Sequence, residues 1–509
     1  MNLPKLLLLL IPSLFFFQLT LAQSPDSTGL YPFQSTEGGF EGPGLDWVLD
    51  QAQGRQFVMF GEQHGVEGVA RLVDVVYQAL ASRGYRHLVL ETDSWTTSQL
   101  NQGGLEAFLQ ANPFSIAFDY DEDLALTETA LAEADSVPST LWGVDQSFIA
   151  IHPYDRLREL AHTGPARRLA KGAFLKATLR MGRYIREEHR ADLIPLKAVF
   201  ADCPDPEAAE ILEELEASME IYTLWQRGDK SQSSAVREQF MKDKLDAYVA
   251  ADSGLAQAVF KMGGAHITYG IGPNGVLTLG DHARELARKN GRKSLAIGLR
   301  RFNAERALPD SSDFQGKNLL LLDTKAWLAA HEADSLALTE SQKRGLAGYD
   351  AIIYFKGAGN ATKNRVASYE KAFRSRTIWT LVPFGVLAVL GLSFLFPGIV
   401  ALFRKKQQGK SAKLILASSC LALVGLILYQ ILGFLQFPAW GVGILPASTS
   451  IFIFLPFFLL GLVNLTLLFR SWGQAWWSTG FRIYYSLLVL AFLGLTTLAY
   501  SWNLGGMLG

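Results

Sequence analysis

The chain has 509 residues, a formal net charge of −1 and 49% hydrophobic residues. That length exceeds one ordinary domain, and a charge so close to zero gives no reason to look for a nucleic-acid partner. The two cysteines, Cys203 and Cys420, exclude a disulfide-built scaffold.

Residues 1–22 carry one early cation, Lys5, then the apolar runs Leu6–Ile11 and Phe15–Phe17, and they end on small residues at Ala22. This is the three-part layout of a secretory signal peptide. From Gln23 to about Arg376 the chemistry is that of a globular domain. Val58–Phe60 reads as a short strand ending at Gly61. Residues 66–81 read as a helix, with Val69, Leu72, Val73, Val76 and Leu80 at helical spacing and a stop at Gly84. His87–Leu90 is the next strand, and Glu91 stands where it ends. The three elements form a β-α-β unit, for which right-handed parallel pairing is the default. Thr140–Val144 is a further strand ending in Asp145.

Between Tyr154 and Leu245 the pattern is helical and highly charged, basic over Arg156–Arg190 and acidic over Glu207–Glu220. Solvated helices packed on each other are the plain reading; a cap over a site is the sharper one. Val259–Met262, Ser294–Leu299, Leu319–Leu322 and Ala351–Phe355 supply later strands. The expected architecture is α/β, a mostly parallel sheet with a helical insertion, filling an extracytoplasmic domain over residues 23–376.

An all-α transmembrane four-helix region is expected over 377–509. Its apolar segments run at about 378–403, 414–437, 444–469 and 483–502, and none contains Asp, Glu, Lys, Arg or His. Each can cross a hydrocarbon core of about 30 Å. Arg404, Lys405, Lys406, Lys410 and Lys413 fill the first connection, and Arg470 lies in the third, bounded by Arg482; the second has no cation. By the positive-inside rule the first and third connections are cytoplasmic, which puts the large domain outside, in accord with the signal peptide. The lipid bilayer is thus an expected partner, and the localisation multi-pass membrane.

The sequence concentrates its chemistry at strand ends, where open α/β sheets bind ligands. Phe57–Phe60 runs into Gly61-Glu-Gln-His-Gly65, and a second G-x-x-H follows at Gly263–His266. In an extended turn Glu62 and His64 share a side, so a carboxylate and an imidazole can share a pocket. Gly61 and Gly65 let the backbone turn and approach a ligand. The amino end of the following helix would favour an anionic group, and Arg71, two turns into it, could point back to the pocket. Glu91 at the next strand end is a further site candidate, and Asp145 is a candidate for binding substrate or for capping a helix. His87, His152, His162, His189, His282 and His331 read as bystanders. Gly270–Gly275 satisfies G-x-G-x-x-G, but Pro273 and the following Val-Leu-Thr-Leu make it a hairpin turn. No G-x-S-x-G, H-E-x-x-H or Walker motif occurs. Asn360-Ala-Thr362 fits the glycosylation pattern.

Gly61-Glu-Gln-His-Gly65 with Arg71 resembles the amino-terminal motif of the erythromycin esterase family, whose superfamily includes the Tiki proteases and the ChaN-like haem-uptake proteins. The likeness continues at Leu88–Glu91, Gly143–Asp145, Arg237-Glu238 with Met241, Gly263–His266 and Tyr349–Tyr354, over about residues 45–360. It departs at Lys244, where the family has asparagine, and at Lys261–Ala265, where the esterases have a Trp-containing segment. The resemblance implies an α/β fold with both histidines and the strand-end carboxylates around one cleft. By the esterase branch His64 activates water for attack on an ester; by the Tiki branch His64 and His266 are ligands of a divalent metal. The expectation is therefore a membrane-anchored extracytoplasmic hydrolase of an ester, amide or peptide. In it His64 is the general base, tuned by Glu62 or Glu91, and His266 and Arg71 stabilise charge. The alternative is a ChaN-like receptor binding haem or metal without catalysis. The substrate is a small molecule or peptide.

Overall fold

A computed structural model describes residues 29–111, 120–133, 139–179, 190–202, 205–252, 255–305, 307–331, 338–362 and positions scattered between 462 and 493. The signal peptide and the first two apolar segments lie outside them, as do most of the third and fourth. Among the described residues no helix is long and apolar enough to cross a membrane. In the few described positions of the last two segments, the buried Tyr485 hydroxyl donates to Asn464 Oδ1 at 2.8 Å.

The chain divides into two compact units. Met1–Glu91, Phe118–Val144 and Met241–Lys363 belong to the first; Thr92–Ala117, Asp145–Phe240 and Asn364–Gly509 belong to the second. The first holds a nine-stranded sheet made of β1 (Leu30–Thr36), β2 (Gly39–Glu41), β3 (Arg55–Glu62), β4 (His87–Leu90), β5 (Leu141–Gly143), β6 (Ala258–Gly263), β7 (Lys293–Arg301), β8 (Leu319–Asp323) and β9 (Ala351–Phe355). Their order is β2-β1-β8-β9-β7-β3-β6-β4-β5. From β9 through β5 every pairing is parallel, whereas β8, β1 and β2 add an antiparallel edge. The mostly parallel sheet is thus present with a mixed edge. β1 and β2 carry no usable sequence pattern: Pro32 interrupts β1, and six of its seven residues are only half-buried, as on an edge.

Central strands covered on both faces need continuous apolar sequence. β3 and β6 meet that need, both being buried along almost their whole length. Phe57 and Phe260 pack edge to face at 5.5 Å between ring centroids. The helix that follows β3 spans Val69–Ala81, three residues shorter than the periodicity suggests, and it buries the five expected apolar positions. The strands β3 and β4 are parallel but not neighbours, because β6 lies between them. This corrects the simple β-α-β picture, and it decides where the site forms.

Tyr349 locks the carboxyl end of the sheet. Its ring fills a space bounded by three glycines, and a Cβ on Gly61, Gly264 or Gly298 would lie 3.1, 2.9 or 3.3 Å from it. Its hydroxyl donates to the Gly264 carbonyl at 2.8 Å. The glycines are there because the aromatic ring needs the volume that side chains would take. In the second unit the charged helices hold each other. Arg156 makes two bonds to Glu207, at 2.7 and 2.8 Å, so the basic segment pairs with the acidic one. Lys176 reaches Asp192 at 2.5 Å.

Tyr349→Ala should empty that space and lower the unfolding free energy by about 3–5 kcal/mol in a urea titration. Tyr349→Phe, which loses one hydrogen bond, should cost about 1 kcal/mol.

Candidate active site

Three parallel strand ends supply the polar side chains. In register, Glu62 of β3 lies beside Gly263 of β6, and β4, paired to the far side of β6, delivers Glu91 one residue after it ends. The backbone leaves β3 through Gln63, whose N–H donates to Leu299 O at 2.9 Å, and turns at Gly65 with φ of +71°. His64 therefore folds back over the strand end, with its Nδ1 2.8 Å from Glu62 Oε1. Its Nε2 lies 3.7 Å from Glu91 Oε2, while His266 Nε2 lies 3.6 Å from the other oxygen of the same carboxylate. His266 comes from a single helical turn, Gly264–Ile267, directly after β6.

One carboxylate thus stands between two imidazoles that are far apart in sequence. The Gly263 N–H donates to Glu91 Oε2 at 2.7 Å and holds it there. A Cβ at Gly263 would sit 2.8 Å from His64 Nε2 and 3.0 Å from Glu91 Oε2, so a side chain there would displace the imidazole and the carboxylate. The His64 side chain is 37% exposed, whereas Glu91 and His266 are 6% and 7% exposed. A solvent-facing base above a buried acceptor is an arrangement that can hold and deprotonate a water.

Beneath His64 lies a buried ionic cluster. Lys261 of β6 reaches Glu62 Oε2 at 2.8 Å and also pairs with Asp123, from the helix Asp121–Ala132. All three side chains are largely withdrawn from solvent. Burial works to raise the Glu62 carboxyl, but the Lys261 ammonium and His64 outweigh it and hold it below its usual range. Burial pushes Asp123 up to about 6 against the pull of Lys261. Lys261 itself is held above its usual range because two carboxylates overcome its burial. One ammonium serves two acids, and Glu62, with His64 as a second partner, keeps the charge more firmly.

The other candidates fall elsewhere. Arg71 spends its guanidinium on the β1–β2 hairpin, donating to Ser35 Oγ, to Thr36 O at 2.8 Å and to Gly39 O at 3.1 Å. The amino end of its helix is already filled: Gly68 N donates to both oxygens of Glu122, at 3.1 and 2.9 Å. The expected place for a ligand anion is thus taken by a side chain. Asp145 belongs to the second unit and is fully buried in a fork with Arg237, with one bond of 2.9 Å. His87 and His152 are core residues rather than surface ones, stacked on Trp142 and Trp95 respectively. The Gly270–Gly275 segment is a hairpin, with Ile271 opposite Leu277 and Gly272 N donating to Val276 O at 2.8 Å. Asn360 and Thr362 of the glycosylation pattern are in structural use, bonded to Arg301 and Asp121. That segment runs along the loop after His64: Ala361 N donates to Gly65 O at 3.0 Å, and Val66 pairs with Asn360.

Among the described residues no three His, Cys, Asp or Glu side chains gather as ligands, and Glu91, tied to Gly263, takes up the space between the imidazoles. Reading for functional side chains alone passed over Lys261 and Asp123. A lysine inside the apolar run Val259–Met262 is a signal that could have flagged the first. Asp123 has none, because acids in a first helical turn are ordinary.

No protein-family model matches this sequence, and no curated protein sequence matches it. Among solved structures the chain is similar to a histidine-to-asparagine variant of the erythromycin esterase EreC in its open conformation. That similarity has 15% identity and a TM-score of 0.44, over 62% of this chain and 94% of that one. It is similar to a succinoglycan biosynthesis protein at 13% identity and a TM-score of 0.45, over 66% of this chain and 97% of that one. It is also similar to ChaN of Campylobacter jejuni with cofacially bound haem, at 14% identity and a TM-score of 0.27, over 64% of this chain and 98% of that one.

Asp123 binds its proton near pH 6 in the native chain, against an ordinary value of 3.8. Between those values the native state holds the extra proton, so the unfolding free energy falls as pH rises through the window. Asp93, which caps the helix Ser94–Gly103 and is pushed by burial to about 6, adds to the same slope. Urea titrations from about pH 4 to 6 should show it, and Asp123→Asn should flatten part of it.

Proposed function

We propose that the first unit is a hydrolase of esters in which His64 is the general base. The observation that carries the reading is the 2.8 Å contact between His64 Nδ1 and Glu62 Oε1 at the mouth of a parallel sheet. With the Nδ1 proton held by an anion, Nε2 accepts a proton from a water on the exposed side of the imidazole, beside Glu91. The hydroxide attacks the ester carbonyl, and His266 takes up the charge that develops on the carbonyl oxygen. Collapse of the tetrahedral species expels the alcohol, which leaves with the proton carried by His64. A base of this kind contributes about 10²–10⁴-fold. Arg71 is assigned to bracing the hairpin, and Asp145, already paired with Arg237, is left outside the reaction. The apolar segments over 377–509 anchor this unit in a membrane, with the site on the extracytoplasmic side.

In detergent, the full chain should hydrolyse p-nitrophenyl or naphthyl esters of short acids. His64→Gln should lower the rate by about 10²–10⁴-fold with its thermal midpoint unchanged. A folded variant that turned over at the parental rate would remove His64 from the chemistry. Silence on every ester, combined with a visible absorption band on haem titration, would favour a binding protein instead. For the anchor, a reporter inserted after Gly409 should be active only in its cytoplasmic form, and one after Gly441 only in its exported form. The reverse pattern would put the site inside the cell.

A further inference from the structure

Lys261 is the odd residue of the central sheet. It stands on β6, level with Phe60 of β3 on one side and Leu90 of β4 on the other. An apolar side chain would be the inexpensive choice there, because a buried ammonium must recover its hydration from partners. Its two partners come from different elements, Glu62 from β3 and Asp123 from the helix Asp121–Ala132. Other titratable groups at this end include His64, Glu91 and His266, grouped around Gly263, Tyr349, bonded to Gly264, and Glu122, which acts on Asp123.

We propose that Lys261 is a positioning residue for the site: its ammonium fixes the Glu62 carboxylate so that the second oxygen holds the Nδ1 proton of His64 and Nε2 is the unprotonated nitrogen. This rests on the reading of His64 as the base. Glu62 has two oxygens with separate tasks, Oε2 on Lys261 at 2.8 Å and Oε1 on His64 Nδ1 at 2.8 Å. The ammonium thus sets both the rotation of the carboxylate and its ionised form. A carboxylate in this buried place without its cation takes up a proton. As a neutral acid it donates to Nδ1 rather than accepting from it, and the imidazole proton moves to Nε2. The ring then presents a donor where the attacking water needs an acceptor. Asp123 holds the other side of the ammonium, so its loss leaves the Lys261–Glu62 contact in place.

The test reads the tautomer directly and needs no substrate. The full chain is labelled with ¹⁵N-histidine, and the His64 signals are identified by their absence in His64→Gln. The parent should show His64 protonated at Nδ1 alone. Lys261→Met should shift it to the Nε2-protonated form or to a mixture. Asp123→Asn should keep the parental tautomer. The double variant Asp123→Asn with Lys261→Met leaves one buried acid fewer, so it keeps the question open to measurement if the single variant does not fold. It should behave as Lys261→Met does. On p-nitrophenyl acetate, Lys261→Met should lose about 10²-fold in kcat with KM little changed. A folded Lys261 variant that keeps the Nδ1-protonated form would overturn the proposal. A switched tautomer in a chain that hydrolyses no ester would instead overturn the hydrolase reading and leave the role of Lys261 standing.

Discussion

Glu91 accepts the backbone proton of Gly263 while its two oxygens face the imidazoles of His64 and His266. That single carboxylate ties together the ends of β3, β4 and β6, and it can do so only because β6 is threaded between the other two strands. If β3 and β4 were neighbours, Glu91 would sit beside Glu62 and the second histidine would have no place. The strand order therefore does what sequence proximity cannot, bringing two short motifs into one pocket.

The charges below the pocket follow from the same placement. Inside a parallel sheet a carboxylate is costly unless a cation or several N–H groups attend it. Glu62 has a cation on one side and an imidazole on the other, so it stays ionised where burial alone would neutralise it. Asp123 is the less favoured acid of the pair and takes up a proton first as the solution is acidified.

Much of the first unit was legible in the sequence. The apolar runs that become β3, β4, β6, β7, β8 and β9 were visible because buried parallel strands leave an unbroken signature. Glu62, His64, Glu91 and His266 could be singled out because each follows such a run. The partner of Arg71 could not be read, because the hairpin that claims it has no pattern of its own. The occupant of the helix amino end was equally hidden, since Glu122 arrives from a separate helix. The insertion of β6 between β3 and β4 was invisible for a more general reason, namely that pairing order is a property of long-range packing and not of any local segment.

The loop carrying His64 is zipped to residues near the far end of the first unit, through Val66 with Asn360 and Gly65 with Ala361. During synthesis at about 5–20 residues per second, β3 emerges early, but the chain that braces this loop emerges only at the end of the first unit. The loop carrying His64 therefore lacks this brace until Ala361 has been made. A nascent chain interrupted before that point holds most of a sheet yet lacks the pairing that closes this loop, so closure of the loop records that the unit has been made to its end.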